Sequence, residues 1–489
     1  MSDNNSTAGR TRSQTVGLFL GPAMLLLMML IGPPDNLGGS AWATACVGIL
    51  MAVWWATEAV PIAVTALLPI VLFPMFGVAT IQDATSPFAN KVIFLFLGGF
   101  VVAFAMQRWD LHRRIALTVL QYAGGNGRSL VGGFMLASAL ISMWVMNTST
   151  TMMLLPIAVS IITVVHKTVA SLDDKARVDF QYALLLGVAY GATIGGIGTL
   201  VGTAPNAMFA AFMQENYGTS IDFASWMMVG LPMSAVMLPL AWFALTRWVF
   251  TVDFVNSSEG RATLRQMKAD MGPISVPEKR VAIVFLLMAS TWIFRPLLVK
   301  LPGLAALDDS LIAIAGAIAL FLVPSGRDDD PLLLRWQYAE KLPWGVLLLF
   351  GGGLSLAGAV SRTGLAEWLG GSLQALGALP LLGLVIVAAA LIIFLTELTS
   401  NIATTATFLP VVGAVALEAG YDPIVLAIPV TLAASCAFML PVATPPNAIV
   451  FGSGMLTIPR MVRAGLILNL IGIVVVSVIA YKLAPIVLH

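Results

Sequence analysis

One segment of this chain is written twice. Residues 141–156, ISMWVMNTSTTMMLLP, and residues 395–410, LTELTSNIATTATFLP, each set a polar knot inside an apolar run. Asn147 and Asn401 lie 254 positions apart, and Ser142/Thr396, Thr150/Thr404, Thr151/Thr405 and Pro156/Pro410 keep that offset. Polar side chains at bilayer depth are costly unless they are paired or line a site. Two such knots, one in each half, are the pattern of a transporter built from two repeats.

The surrounding chain is membrane-like. Of 489 residues, 59% are hydrophobic and 10% charged, with a mean hydropathy of +0.94, more apolar surface than a water-soluble fold of this length needs. A span takes roughly 20 residues of helix. The apolar runs predict an all-α polytopic membrane protein of about 11 spans plus two re-entrant hairpins. A net charge of +1 argues against nucleic acid as a partner, and Cys46 and Cys436, both in apolar runs, suggest no disulfide framework. The polar start with Arg10 and Arg12 precedes an apolar run without a clear cleavage site. It reads as an uncleaved first span with a cytoplasmic N-terminus, in the plasma (inner) membrane.

Taken in order, 15–32 and 41–55 read as the first two spans. Glu58, beside Pro61, is expected to cap the next helix rather than relay protons. The loop 124–128 lacks the Lys of a phosphate-binding loop. Residues 128–166 read as the first hairpin, with Asn147 and Thr148 near its tip. A mixed-charge loop, 166–179, leads to a Gly-rich helix over 182–213. That helix is interrupted by GTLVGTAPN at 198–206, where Gly and Pro break the ladder and free backbone carbonyls.

The first half, 1–251, ends in a polar linker, 252–280, expected to carry no folded domain. The second half, 281–489, repeats the order: Gly352 echoes Gly98, 380–418 is the second hairpin, and 426–456 is a second broken helix. Its PVATPPN at 441–447 echoes LVGTAPN at 200–206, pairing Thr203 with Thr444 and Asn206 with Asn447. About five spans per half is an odd number, which inverts the second copy.

Asn, Ser, Thr and freed carbonyls supply the neutral oxygens that a hard cation takes. Helix N-termini and amide donors suit a carboxylate or another oxyanion. Neither knot and neither Thr-x-Pro-Asn break contains Lys, Arg or His, so bound Na⁺ would supply the positive charge that an anion needs. Glu397, whose counterpart is Met143, reads as a buried structural carboxylate. An enzyme is disfavoured: His112, His166 and His489 lie outside the knots, and no zinc spacing, Gly-x-Ser-x-Gly elbow or Walker A sequence occurs. No organic cofactor is expected.

At these residues the chain resembles the divalent anion:sodium symporters, the INDY-type dicarboxylate transporters. The resemblance covers nearly the whole chain after the first span. It includes WATEAVPI at 55–62, both Ser-Asn-Thr-like motifs, and SCAFMLPVATPPNAIV at 435–450. It implies an inverted-repeat, elevator-type fold and a homodimer. It also implies one Na⁺ site from Ser142, Asn147, the backbone of Met146 and a carbonyl within the stretch from Gly195 to Gly198. A second would use Thr396, Thr399, Asn401 and the backbone of Ala443.

The substrate carboxylates would meet Asn147, Thr148, Asn401, Thr444 and Pro445, with Thr203 lining the opposite break. Two departures stand out. Met146 replaces the expected Ser of the first motif, and Ile402 replaces the expected Thr of the second, giving the substrate site an apolar wall. The expected activity is sodium-coupled import of a C4-dicarboxylate such as succinate, malate or fumarate. Sulfate, a sulfonate, a tricarboxylate, an apolar-substituted dicarboxylate and sodium-independent exchange stay open.

Overall fold

The computed structural model describes residues 10–124, 126–169, 172–252, 258–372, 380–483 and 486. His489, and Gly125 of the 124–128 loop, lie outside them. Among the described residues the regular structure is helical, apart from one isolated bridge between Pro324 and Leu332.

Among the described residues nine helices are long and apolar enough to cross a membrane. Two of these, Asn147–Thr168 and Asn401–Glu418, are hairpin arms, pairing with the shorter helices Gly127–Ser142 and Leu381–Thr396. The other seven, with the shorter helices Ile62–Met75 and Asp309–Leu322 and two broken helices, give eleven crossings. The first broken helix is Asp174–Gly196 followed by Ala204–Tyr217; the second is Ile424–Ala434 followed by Pro445–Phe451. Leu30, Leu297 and Val474 are more than half exposed, as an outer surface meant for lipid requires.

Residues 39–249 and 276–483 each hold five crossings and one hairpin. Five is odd, so the two copies run in opposite senses and their hairpins enter from opposite faces. Helix packing follows the same exchange. A Cβ on Gly98 would lie 2.5 Å from the Ala313 backbone, and one on Gly352 would lie 2.2 Å from the Ala66 carbonyl oxygen. Each glycine thus lets a helix of one repeat touch a helix of the other, and only a residue without a side chain permits that approach.

Local sequence sets the helix ends. Asn126, Asp173 and Asp222 accept from the backbone amides of Ser129, Ala176 and Ser225, each three residues on. The stretch 166–179 is shorter as a loop than its charge pattern suggests. The preceding helix runs to Thr168, and Asp173 starts the next.

Within the polar stretch 252–280, the described residues 258–280 pack on the rest of the protein. They contain the helix Ser258–Asp270, with Leu264 fully buried. Lys268 Nζ donates to Gln121 Oε1 at 2.9 Å. The helix Val276–Leu298 begins within the same stretch, and Arg114 fixes its start by a 2.7 Å bond to Glu278.

Candidate substrate and ion site

The two hairpin tips and the two helix breaks meet around one open cavity of about 760 Å³. Met146, Asn147 and Thr148 come from the first tip, and Thr399, Asn401 and Ile402 from the second. Thr203 lines it from the first break; Ala443, Thr444 and Pro445 line it from the second. The cavity therefore gathers all seven residues expected to meet substrate. Ser142, Gly195, Gly198 and Thr396, expected to serve ions, are not on its wall.

Those four sit just behind the tips. With its amide nitrogen turned inward, Asn147 donates to the carbonyls of Ala192 and Gly202, at 3.3 Å each, and to Ser142 Oγ. One side chain thus ties the first tip to both sides of the first break. In the second half Thr396 Oγ1 donates to Asn401 Oδ1 at 2.8 Å and lies 3.1 Å from the Ala434 carbonyl. The two pairs share one geometry: a hydroxyl at the end of the incoming helix meets an Asn five residues on. Thr399 adds a 2.6 Å contact to the Thr404 hydroxyl. Gly195 packs so tightly on the first hairpin that a Cβ there would lie 2.3 Å from the Ala139 carbonyl oxygen.

Both breaks are closed by an Asn three residues into the outgoing half-helix. Asn206 Nδ2 donates to the carbonyls of Gly196, Ile197 and Thr199, the shortest at 2.7 Å. Asn447 Nδ2 donates to the Leu440 carbonyl at 3.0 Å. Each satisfies carbonyls that the break leaves without helical partners. Each also leaves its own Oδ1 buried with no partner among the described residues. Thr203 and Thr444 precede the outgoing helices with nearly the same backbone, φ −145° and −141°.

Glu397 anchors the second break differently. Its carboxylate accepts from the amides of Phe438, Met439 and Leu440 at 2.7, 2.8 and 3.0 Å, and from Asn469 Nδ2 at 2.7 Å. It is only 3% exposed. These amides are taken by a resident carboxylate, so the anion chemistry of the second break is partly internal. The first break has Met143 in that position, and there its carbonyl accepts from the Thr199 hydroxyl.

Electrostatically the cavity is anion-tolerant without being basic. Among the described residues no Lys, Arg or His lines it. The hairpin arms starting at Asn147 and Asn401 and the half-helix starting at Ala204 begin at its wall, bringing their positive dipole ends. Glu58 corrects an expectation: it ends the preceding helix, Gly39–Thr57, and does not cap the next one, which starts after Pro61. It takes a left-handed conformation, φ 48°, its backbone amide donating to the Trp54 carbonyl, and it lines the cavity with Thr11 and Gln14.

Several of these roles escaped the sequence. The Asn closing each break was legible as a repeated letter but not as a clamp. Asn469 carried no signal, because its partner Glu397 lies 72 positions away.

The sodium:sulfate symporter transmembrane region family matches residues 12–488. The chain belongs to this family. It is a membrane transporter, not an enzyme. It is 39% identical over 475 residues to the "Sodium-dependent dicarboxylate transporter SdcS" of Staphylococcus saprophyticus, covering 96% of this chain and 92% of that one. It is 40% identical over 478 residues to the protein of the same name from Staphylococcus aureus, covering 97% and 92%. Its fold is similar to that of the Alcanivorax borkumensis YdaH transporter, with a TM-score of 0.60 at 14% identity over 96% of this chain and 98% of the other.

Proposed function

We propose that this transporter is a sodium-coupled symporter that imports a divalent organic anion, with a C4-dicarboxylate as first choice. The observation that carries this reading is the cavity, where two hairpin tips and two breaks converge with no basic side chain among the described residues. A dianion there meets amide and hydroxyl groups and helix N-termini, each end worth about half a positive charge. Sodium ions complete the neutralisation. The names of the relatives point the same way.

In this reading one Na⁺ takes Ser142, Asn147, the Met146 backbone and a carbonyl between Gly195 and Gly198. The other takes Thr396, Thr399, Asn401 and the Ala443 backbone. The unpaired Oδ1 atoms of Asn206 and Asn447 support cation sites behind both tips, because buried acceptors without donors suit a hard cation. The anion takes Asn147, Thr148, Thr203, Asn401, Thr444 and Pro445, against Ile402. That apolar wall favours a second reading for the cargo, a dicarboxylate with an apolar substituent.

The hairpins and broken helices would carry the cargo as one body across a frame built from the remaining crossings, in an elevator movement within a homodimer. The N-terminal face carries Arg113, Arg114, Lys279, Arg280, Arg327 and Arg335, and by the positive-inside rule it would be cytoplasmic. Calorimetric titration of the purified protein with succinate, in NaCl and then in KCl, tests the coupling. Heat of binding is expected only in sodium. Equal binding in potassium contradicts it.

A further inference from the structure

A second cavity, of about 230 Å³, lies beside the first hairpin and shares no lining residue with the site above. His112 and Ile115 form one wall; Leu140, Ile141 and Trp144 of the hairpin form another, with Phe285 closing the end. It is apolar except at one point. His112 is 6% exposed, and its Nδ1 lies 3.2 Å from the Met106 carbonyl oxygen. A carbonyl only accepts, so in the neutral ring Nδ1 carries the hydrogen and Nε2 is an acceptor. Among the described residues nothing donates to Nε2. Burial pushes the pKa of this imidazole down, which favours the neutral ring at pH 7.

Size and lining narrow the ligand. A dry apolar cavity of about 150 Å³ holds benzene. This one has room for two fused rings. Trp144 and Phe285 present aromatic surfaces at 85° to each other, with centroids 5.1 Å apart. A planar guest is favoured by such walls. With Nε2 free to accept, a guest with one donor gains a hydrogen bond there and is favoured over a pure hydrocarbon.

We propose that this cavity binds a small planar arene of about the size of indole, bearing one N–H or O–H that donates to His112 Nε2. Its position gives the binding a consequence. Trp144 is held between Phe285 and Phe223, whose ring centroid lies 5.8 Å away, and it follows Ser142 by two residues. Met143, between them, accepts from Thr199 of the first break. An arene wedged there would hold the first tip in place and slow transport without competing with the anion. That effect rests on the transport reading above; the binding itself does not.

The test is ¹⁹F NMR titration of the full-length protein in detergent with 5-fluoroindole and with 5-fluoro-1-methylindole, which lacks the donor. Saturable binding of the first, about tenfold tighter than the second, is expected. His112→Leu should bring the two ligands to the same affinity. Ile115→Trp, which fills the space, should abolish both. The proposal is overturned if the two ligands bind the wild-type protein equally. It is also overturned if neither saturates, as when a lipid chain fills the cavity, or if Ile115→Trp binds unchanged. The ligand pair decides the matter even where a variant fails to fold.

Discussion

The Glu397 carboxylate and the Asn469 amide meet at 2.7 Å, joining the second hairpin to the last long helix across the second break. The same carboxylate holds three consecutive backbone amides of that break. Glu397→Gln keeps the size but turns an NH₂ toward groups that only donate. Leaving a buried donor unpaired costs about 1–3 kcal/mol. The variant should melt lower than wild type in detergent and should lose part of its stabilisation by sodium. Asn469→Ala removes one donor and spares the three amide bonds, so its melting temperature should fall less. Equal melting temperatures for wild type and Glu397→Gln would remove the clamp role.

Asn147 and Asn401 each bond to residues proposed to hold an ion and line the cavity. Asn147→Ala removes bonds to the Ala192 and Gly202 carbonyls. Asn401→Ala removes the acceptor of the Thr396 hydroxyl. Each should weaken both sodium and dicarboxylate binding at least about tenfold, the scale of one lost polar contact in a buried site. Titrations of each ligand at saturating levels of the other separate the two effects.

Ile402 stands where the first half has Thr148. Ile402→Thr adds a hydroxyl at the cavity wall and removes apolar bulk. Succinate should bind several-fold tighter to this variant, and a dialkyl succinate several-fold weaker. Competition uptake with both compounds checks the pair; unchanged affinities in a folded variant would take Ile402 away from the cargo.

On the face opposite the N-terminus, Asp222 pairs with Arg295 at 2.9 Å and accepts from the Ser225 amide at 2.7 Å. Burial raises the Asp222 pKa, but the Ser225 hydrogen bonds and the Arg295 guanidinium outweigh it and hold the carboxyl below its usual range. A lowered pKa gives stability that is complete above the unfolded value, near 3.9, and is lost as pH falls through the folded one. The contribution of this pair should therefore be flat from pH 8 to about 5 and vanish only in stronger acid. Arg295 also holds Asp309 at 2.9 Å, so the clean test is Asp222→Asn, which removes the lowered carboxyl alone and should lower stability by about 2 kcal/mol across that flat range. Melting curves of both proteins at several pH values measure it.

Much of this arrangement was written locally. The repeated knots, the Thr-x-Pro-Asn breaks and the hydropathy reveal spans, hairpins and duplication, because backbone satisfaction in lipid leaves few alternatives. What escaped depends on long-range partners. Glu58 resembled a cap for the helix that follows, yet it ends the helix before it and lines the cavity. Residues 252–280 read only as a polar linker between the halves, and the contacts that Leu264 and Glu278 make within 258–280 were not legible, because partners such as Arg114 lie far off in the chain. Glu397 was legible as a buried carboxylate, but its four donors come from segments 41 to 72 positions away.

The central claim is sodium-coupled dicarboxylate import, and uptake into proteoliposomes tests it most directly. Labelled succinate is offered with an inward Na⁺ gradient, and again with K⁺ or choline in place of Na⁺. The account predicts accumulation of succinate driven by the sodium gradient and abolished without it. Uptake of equal rate and extent in all three salts, driven instead by internal dicarboxylate, would contradict it.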